Sequence, residues 1–175
     1  MRARIVAHHE RNTDMQRVSK ENYYLDIAQT VSERATCLRR KFGAIIVKND
    51  VIVSTGYNGA PRGRKNCSDL GFCYREKMQI PRGERYELCR SVHAEQNAII
   101  AAPREQMLGA TLYMACTLPD GTLVPECNSC MMCKRTILNA GISTVVVRDT
   151  PEEYRVINVA DWIEDDDSLS GKFGY

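Results

Sequence analysis

The chain has 175 residues, of which 26% are charged, and a formal net charge of +2. A chain of this length fits one domain, and its nearly neutral charge provides no field that would attract a long polyanion such as a nucleic acid. No apolar run reaches the ~18 residues of a membrane span, and residues 1–20 lack the apolar core of a secretory signal. We therefore expect a cytoplasmic protein without a membrane partner.

The first predicted element is a helix that follows a polar arm over residues 1–18. Ser19 can cap this helix, in which apolar residues recur at spacings of three and four. Two β-branched runs, 44–47 and 51–53, then predict a hairpin that continues into a turn at 56–61.

Helices and strands alternate in the second half of the chain. The pattern predicts a helix over 92–102, a strand over 111–116, a helix over 130–139 that ends at Gly141, and a strand over 143–147. The tail after residue 156 is expected to dock on the core. For residues 19–175 this order predicts a single α/β domain with a central mixed sheet and helices on its faces.

The eight cysteines are expected to be thiols, because disulfide frameworks are rare in a reducing compartment. Cysteines there are more often metal ligands, catalytic groups or small buried residues. Three of them lie in residues 58–90, a long segment without clear periodicity. Unstructured loops beyond ~15 residues are uncommon unless they are functional or held in place, so something is expected to hold this segment.

Four residues are candidates for chemistry: His93, Glu95, Cys130 and Cys133. Two cysteines three positions apart at the start of a helix lie on one face, and the positive end of the helix dipole stabilises their thiolates. Two thiolates and one imidazole give zinc three ligands and leave the fourth position open, as in catalytic sites. A structural zinc site would fill that position with a fourth protein ligand.

Glu95 favours a catalytic interpretation over a structural one. It lies about 200° from His93 around a regular helix, so both side chains cannot easily bind one metal, but Glu95 can transfer protons beside it. His-x-Glu followed by Cys-x-x-Cys resembles the zinc deaminases, in which the glutamate is a general acid and base and not a ligand. Each piece alone has an ordinary structural explanation, whereas the combination is specific.

Four segments resemble the deoxycytidylate deaminase branch of the cytidine and deoxycytidylate deaminase superfamily, which the chain matches over about residues 19–149. These segments are 36–43, 56–61, 92–98 and 130–141. The resemblance implies a three-layer α/β/α cytidine deaminase-like fold and hydrolysis of a cytosine mononucleotide, with dCMP converted to dUMP and ammonia. It also implies a catalytic zinc, a homo-oligomer and a deoxynucleoside triphosphate effector.

The resemblance assigns the catalytic roles. His93, Cys130 and Cys133 hold the zinc. Glu95 takes a proton from the attacking water, delivers it to ring N3, and then protonates the departing amine; such acid–base work is typically worth ~10²–10⁴-fold in rate.

The resemblance also assigns substrate contacts. Asn58 contacts the sugar, and the backbone of Ala94 faces the base. Arg39 resembles a phosphate contact of this branch, and a planar guanidinium matches phosphate oxygens in bidentate fashion. We therefore expect a small-molecule nucleotide substrate that carries a 5′-monophosphate.

Two departures from the family pattern lie beside the first ligand cysteine. Ser129 stands where the family usually has proline, and Cys127 forms a second Cys-x-x-Cys pair with Cys130. In the family a glycine follows the second ligand after a fixed length of helix. Gly141 fits that place only when Cys133 is the second ligand.

A second, structural zinc is also predicted. Some deoxycytidylate deaminases carry one, with ligands at positions that resemble Cys37 and Cys67 and just before the histidine motif, where Cys89 lies. Together with Cys73 these thiolates would form a closed tetrahedral shell. The cross-link would offset the ~1–2 kcal/mol that ordering each residue of the long segment costs. The alternative is that the four are buried or free thiols.

Other functions stay open at this point. The same zinc site can act on free cytidine, guanine or transfer RNA adenosine, although the 56–61 segment and Arg39 favour a mononucleotide. A zinc-stabilised binding module of another class needs the cysteines but has no use for Glu95 or for an open position on the metal.

Overall fold

The computed structural model describes residues 4–6, 17–81 and 83–165, with the backbone alone over 4–6. Most of the polar arm predicted over 1–18 and the end of the acidic tail lie outside these residues. The strands are β1 (Arg4–Val6), β2 (Lys41–Lys48), β3 (Val51–Tyr57), β4 (Thr111–Thr117), β5 (Thr144–Arg148) and β6 (Tyr154–Asn158). The α-helices are α1 (Lys20–Ser32), α2 (Cys67–Leu70), α3 (Tyr74–Lys77), α4 (Ala94–Ile100), α5 (Arg104–Met107), α6 (Met131–Ala140) and α7 (Asp161–Glu164).

These strands form one mixed sheet in the order β1-β6-β5-β4-β2-β3. β4 and β5 are parallel, and α6 connects them, because parallel neighbours need a crossover. The other neighbouring pairs are antiparallel. The predicted hairpin is confirmed as β2 and β3, with an irregular register between Ile46 and Val47.

Helices cover both faces of this sheet. On one face α1 packs its buried Leu25 and Ala28 in a core with Ile45 of β2. On the other face α4 and α6 contribute to a larger core with Ile46 of β2 and Met114 of β4. Consecutive strand residues point to opposite faces, so the apolar run of β2 serves both cores. The result is the predicted three-layer α/β/α arrangement.

Local sequence signals set two helix ends and one close packing contact. Ser19 Oγ accepts a hydrogen bond from the Asn22 N–H at 3.3 Å, which confirms the predicted start of α1. Gly141 ends α6 with a left-handed φ of 78°, as predicted. At Gly56 a Cβ atom would overlap the carbonyl oxygen of Ala94, so only glycine lets the first turn of α4 lie this close to β3.

The structure corrects the prediction for the start of the chain and adds a strand near its end. Arg4–Val6 lies in the predicted polar arm but forms β1, which pairs with β6. The predicted docking of the tail from Val156 is confirmed, since Ile157, Val159 and Trp162 pack in the core, and the tail begins within β6, which also pairs with β5. The sequence of β6 alternates apolar and polar residues too weakly for the period-two signal to be recognised.

The segment 58–90 is ordered by short elements and not by long ones. It contains α2, α3 and a 3-10 turn at Tyr86–Leu88, each of three or four residues. Elements this short cannot show helical periodicity, which is why the sequence looked unstructured. Within the described residues, no helix is long and apolar enough to cross a bilayer.

Candidate active site

Two helix starts converge on the candidate site. His93 is the N-cap residue of α4, and Cys130 is the N-cap residue of α6. The two helices pack together on the same face of the sheet. Cys133 lies one turn into α6, so its sulfur and that of Cys130 share a face, as the sequence predicted.

The distances among these three side chains suit a zinc ion. His93 Nδ1 lies 3.4 Å from Cys130 Sγ and 3.3 Å from Cys133 Sγ. A tetrahedral zinc with usual bond lengths separates a nitrogen ligand from a sulfur ligand by about 3.6 Å. Among the described residues, this is the only group of three or more candidate ligand atoms that all lie within 4.8 Å of one another. The residues present therefore fit the metal.

Hydrogen bonds within this group shift the pKa values of its members in opposite directions. The hydrogen bond from Cys133 lowers the pKa of Cys130 to about 4, against the effect of burial, and correspondingly raises the pKa of Cys133. Burial lowers the pKa of His93, but hydrogen bonds to Cys130 and Cys89 outweigh it and raise that pKa to about 10. The shift favours the thiolate of Cys130, the form in which cysteine binds zinc, whereas Cys133 and His93 hold protons that zinc binding would displace.

Glu95 lies at the second position of α4 and is 4% exposed. Burial raises the pKa of its carboxyl group, and the nearby charge of His93 opposes that rise. A carboxyl group with a raised pKa is suited to both accepting and donating a proton near neutral pH. Ser129, where the family usually has proline, brings its buried hydroxyl next to this carboxyl group.

A cavity of about 280 Å³ opens onto the group formed by His93, Glu95 and Cys130. Its volume is near the lower end of the ~300–1,000 Å³ typical of small-molecule sites. The residues predicted to contact substrate, which are Arg39, Asn58 and Ala94, all line it. The structure therefore brings together around one cavity two of the three metal ligands, the buried carboxyl group and the predicted substrate contacts.

The sequence profile of the cytidine and deoxycytidylate deaminase zinc-binding region matches residues 18–149. The chain belongs to this family. The family description names a zinc-binding region. The group of His93, Cys130 and Cys133 lies within the matched residues and forms the zinc site.

Three relatives illustrate the family. The deoxycytidylate deaminase of Mycobacterium phage D29 is 37% identical over 137 residues, which cover 75% of this chain and 96% of that protein. The deoxycytidylate deaminase of Schizosaccharomyces pombe is 31% identical over 135 residues, or 77% of this chain but 38% of that protein. The dCMP deaminase from the cyanophage S-TIM5, solved in complex with dCMP and dUMP, is 28% identical, with a TM-score of 0.52 over 75% of this chain and 84% of its own. The chain thus spans well under half of the fission yeast relative.

Asn58, in the segment that resembles the family's substrate loop, forms part of the cavity wall. Its Oδ1 accepts a hydrogen bond from the Phe42 N–H at 2.8 Å, and its Nδ2 donates to the Arg40 carbonyl at 3.0 Å. An amide has two N–H donors and two acceptor lone pairs, so both ends of Asn58 retain capacity for a ligand. Asn58 therefore holds the chain around Arg40 in place and still faces the cavity.

Arg39 lies at the edge of the cavity. Its Nε is 2.9 Å from a Glu76 carboxylate oxygen, and its side chain is 35% exposed. The guanidinium is thus already paired with a carboxylate and partly hydrated.

The four cysteines predicted to bind a second zinc lie around the 58–90 segment. Cys67 starts α2, Cys73 precedes α3, and Cys89 follows the 3-10 turn. Burial raises the pKa of Cys67, and the charges of Cys37 and the other two add to the effect, which places all four in one neighbourhood. No three of their sulfur atoms all lie within 4.8 Å of one another, as the ligand atoms of His93, Cys130 and Cys133 do. The second zinc stays a prediction.

The cavity wall also contains residues that the sequence did not reveal, among them Arg75 on α3 and Tyr86 in the 3-10 turn. Tyr86 contacts the His93 ring edge-to-face with 5.5 Å between centroids, and the Arg75 guanidinium lies 4.2 Å from the centre of the Tyr86 ring. Nothing in the local sequence distinguishes Arg75 from Arg85 ten residues later. Arg75 is buried and Arg85 is exposed only because of how the segment packs in the folded chain.

Proposed function

We propose that this protein is a zinc-dependent hydrolase that deaminates dCMP to dUMP and ammonia, within pyrimidine deoxynucleotide metabolism. The observation that carries the proposal is the buried Glu95 carboxyl group beside a zinc-ligand group in one cavity. The relatives support the substrate, because the D29 and fission yeast proteins are named deoxycytidylate deaminases and the S-TIM5 enzyme holds dCMP and dUMP.

The catalytic roles follow from the chemistry of each side chain. His93, Cys130 and Cys133 hold the zinc, which when bound supplies the Lewis acidity that makes water a competent nucleophile at neutral pH. Glu95 accepts a proton from the water that attacks C4 and delivers it to ring N3. It then takes the remaining proton of that water from the new hydroxyl on C4 and passes it to the amino group, which leaves as ammonia while a carbonyl forms at C4. The buried position of Glu95 excludes bulk water from these proton transfers.

The substrate contacts lie on the cavity wall. We assign the sugar to Asn58, the base to the backbone of Ala94 and the 5′-phosphate to Arg39, all of which line the cavity. In this arrangement the base enters toward His93 while the phosphate stays on the arginine side.

Ammonia release from a panel of substrates tests this assignment. The panel contains dCMP, CMP, deoxycytidine, guanine and a transfer RNA with an adenosine target. We expect the highest kcat/KM with dCMP, a lower value with deoxycytidine, and no release from guanine or the transfer RNA. Equal efficiency with deoxycytidine and dCMP would refute the mononucleotide assignment. No ammonia from any substrate, with zinc bound, would instead favour the binding module.

We also propose the structural zinc at Cys37, Cys67, Cys73 and Cys89. Cys37 Sγ accepts the Arg39 N–H at 3.5 Å, and Cys89 accepts the Ser91 N–H. Hydrogen bonds of this kind stabilise a thiolate, which is the ligand form. Metal analysis should find about two zinc ions per wild-type chain and about one in Cys67→Ser. A wild-type chain with a single zinc that is lost in Cys130→Ser would contradict the second site.

The remaining assignments are a homo-oligomer, a deoxynucleoside triphosphate effector, a cytoplasmic location and a single domain from residue 19. They are supported by the family resemblance and the sequence pattern. Light scattering with and without deoxynucleoside triphosphates measures the first two. A monomer whose activity does not respond to any triphosphate would contradict both.

A further inference from the structure

The cavity contains a buried cation that the proposed mechanism does not use. Arg75 lines the cavity, yet the residue is only 3% exposed. Within residues 17–81 and 83–165 its guanidinium forms no ion pair. Glu87 is near enough for Arg75 to influence its pKa, but its carboxylate pairs with Arg85 instead.

The hydrogen bonds of Arg75 leave its charge without a counter-ion. One terminal nitrogen donates to the Pro81 carbonyl at 2.8 Å and to the Glu84 carbonyl. Nε is buried and has no partner among the described residues. Burying a charge is costly unless it is paired, and two neutral carbonyls and the face of the Tyr86 ring supply only part of the compensation. An anion in the cavity would supply the rest.

The position of Arg75 fits one end of a nucleotide. A single aromatic ring, Tyr86, separates its guanidinium from the imidazole of His93, at 4.2 Å on one side and 5.5 Å on the other. These contacts place the guanidinium within about 10 Å of the zinc ligand. This is comparable to the separation between a pyrimidine base and the phosphate of the same mononucleotide.

Arg75 differs from the other two arginines of the cavity. Arg39 is paired with Glu76 and is partly exposed. Arg40 directs one terminal nitrogen toward Cys127 Sγ at 3.8 Å. Arg75 alone among the three combines near-complete burial with an unpartnered donor, so an anion gains most by binding there.

We propose that Arg75 binds the 5′-phosphate of the substrate and thereby selects mononucleotides over nucleosides, with Arg39 contributing from the edge of the cavity. This inference rests on the proposed deaminase function. It assigns the main source of phosphate selectivity to the 58–90 segment and not to the 36–43 motif.

The test compares kcat/KM for dCMP and for deoxycytidine in wild type, Arg75→Gln and Arg85→Gln. Arg85 is the matched control, since it lies in the same segment, is exposed and pairs with Glu87. We expect Arg75→Gln to lower kcat/KM for dCMP by about 10- to 100-fold while changing that for deoxycytidine far less. Arg85→Gln should leave the ratio of the two values at its wild-type level.

Arg75 also holds two loop carbonyls, so its loss can disturb the fold. A purely structural role would lower both kcat/KM values by the same factor, and that result would overturn the proposal. If Arg75→Gln does not fold, Arg75→Lys replaces it, because lysine keeps the charge but loses the planar fork. About a tenfold loss confined to dCMP supports the proposal, and an unchanged ratio overturns it. A wild type without preference for dCMP would refute the proposed substrate itself, whereas a preference that survives in both variants refutes Arg75 alone.

Discussion

The zinc-ligand region and the 58–90 segment place functional side chains in different ways. In the first, His93 and Cys130 cap two helices that the sheet holds together, so fixed helical spacing determines where ligands and acid meet. In the second, Arg75 and Tyr86 reach the cavity from elements of three or four residues. Regular structure thus positions the side chains to which we assign catalysis, and an irregular segment positions those to which we assign phosphate binding.

The two regions also differ in how their charges are compensated. In the zinc-ligand region the Cys130 thiolate lies next to His93, and zinc binding would displace the protons that His93 and Cys133 hold without the metal. The 58–90 segment leaves Arg75 buried without an ion-pair partner. The first region therefore needs a metal cation, and in our proposal the second needs the phosphate of the substrate.

The largest expected effect lies in the zinc-ligand region. We expect Cys133→Ala to lose the catalytic zinc and all measurable deamination, because two ligands cannot form the site. Cys127→Ala is the matched control, since Cys127 is also buried and belongs to the rival Cys-x-x-Cys pair. It should keep the metal. Metal analysis and dCMP turnover of both proteins decide which Cys-x-x-Cys pair binds the zinc. Loss of zinc only in Cys127→Ala would assign the metal to Cys127 and Cys130 instead.

An intermediate effect is expected where the two regions meet, at Asn58. Asn58→Ala leaves the partly buried Phe42 N–H without its acceptor, at a cost of about 1–3 kcal/mol in the free energy of unfolding, and removes the proposed sugar contact. Asn66→Ala is the control. Asn66 bonds Thr36 and caps α2, so its loss should cost about 1 kcal/mol.

Urea unfolding and kcat/KM for dCMP measure both Asn variants. We expect a fall in kcat/KM for Asn58→Ala that exceeds the fall for Asn66→Ala by about tenfold or more. Equal losses of activity in the two variants would show that Asn58 acts through stability alone.

The smallest expected effect is at Arg39. Because this side chain is partly exposed and paired with Glu76, Arg39→Gln should lower kcat/KM for dCMP by about two- to tenfold. Glu76→Gln removes the competing carboxylate and should leave kcat/KM equal to or above that of wild type. A loss in Arg39→Gln larger than in Arg75→Gln would assign the phosphate to the 36–43 motif.

The sequence predicted the zinc-ligand region well because its signals are local. A histidine before a helix, a Cys-x-x-Cys pair at a helix start and a glycine at its end each have a fixed geometry, and the structure brings His93, Cys130 and Cys133 together. The hairpin and the mixed sheet with helices on its faces followed from β-branched runs and helical spacing, and the three-layer deaminase-like fold from the family resemblance. These features depend on residues no more than a few positions apart.

The sequence could not predict β6 or the burial of Arg75. β6 depends on pairing with β5 and β1, and the weak alternation of its residues carries no signal of its own. Arg75 becomes buried among Pro81, Glu84 and Tyr86, which supply two carbonyls and an aromatic ring. Such contacts arise between short elements whose relative directions no periodicity specifies.

The most direct test of the central claim is dCMP turnover and zinc content of Glu95→Gln beside wild type. Glu105→Gln, an exposed glutamate in the first turn of α5, is the control. We predict that Glu95→Gln keeps its zinc and its fold but loses at least ~10²-fold in kcat, because it removes the proton carrier and no ligand. Glu105→Gln should match wild type. Retention of kcat within about tenfold in zinc-loaded Glu95→Gln would contradict the proposed acid–base role.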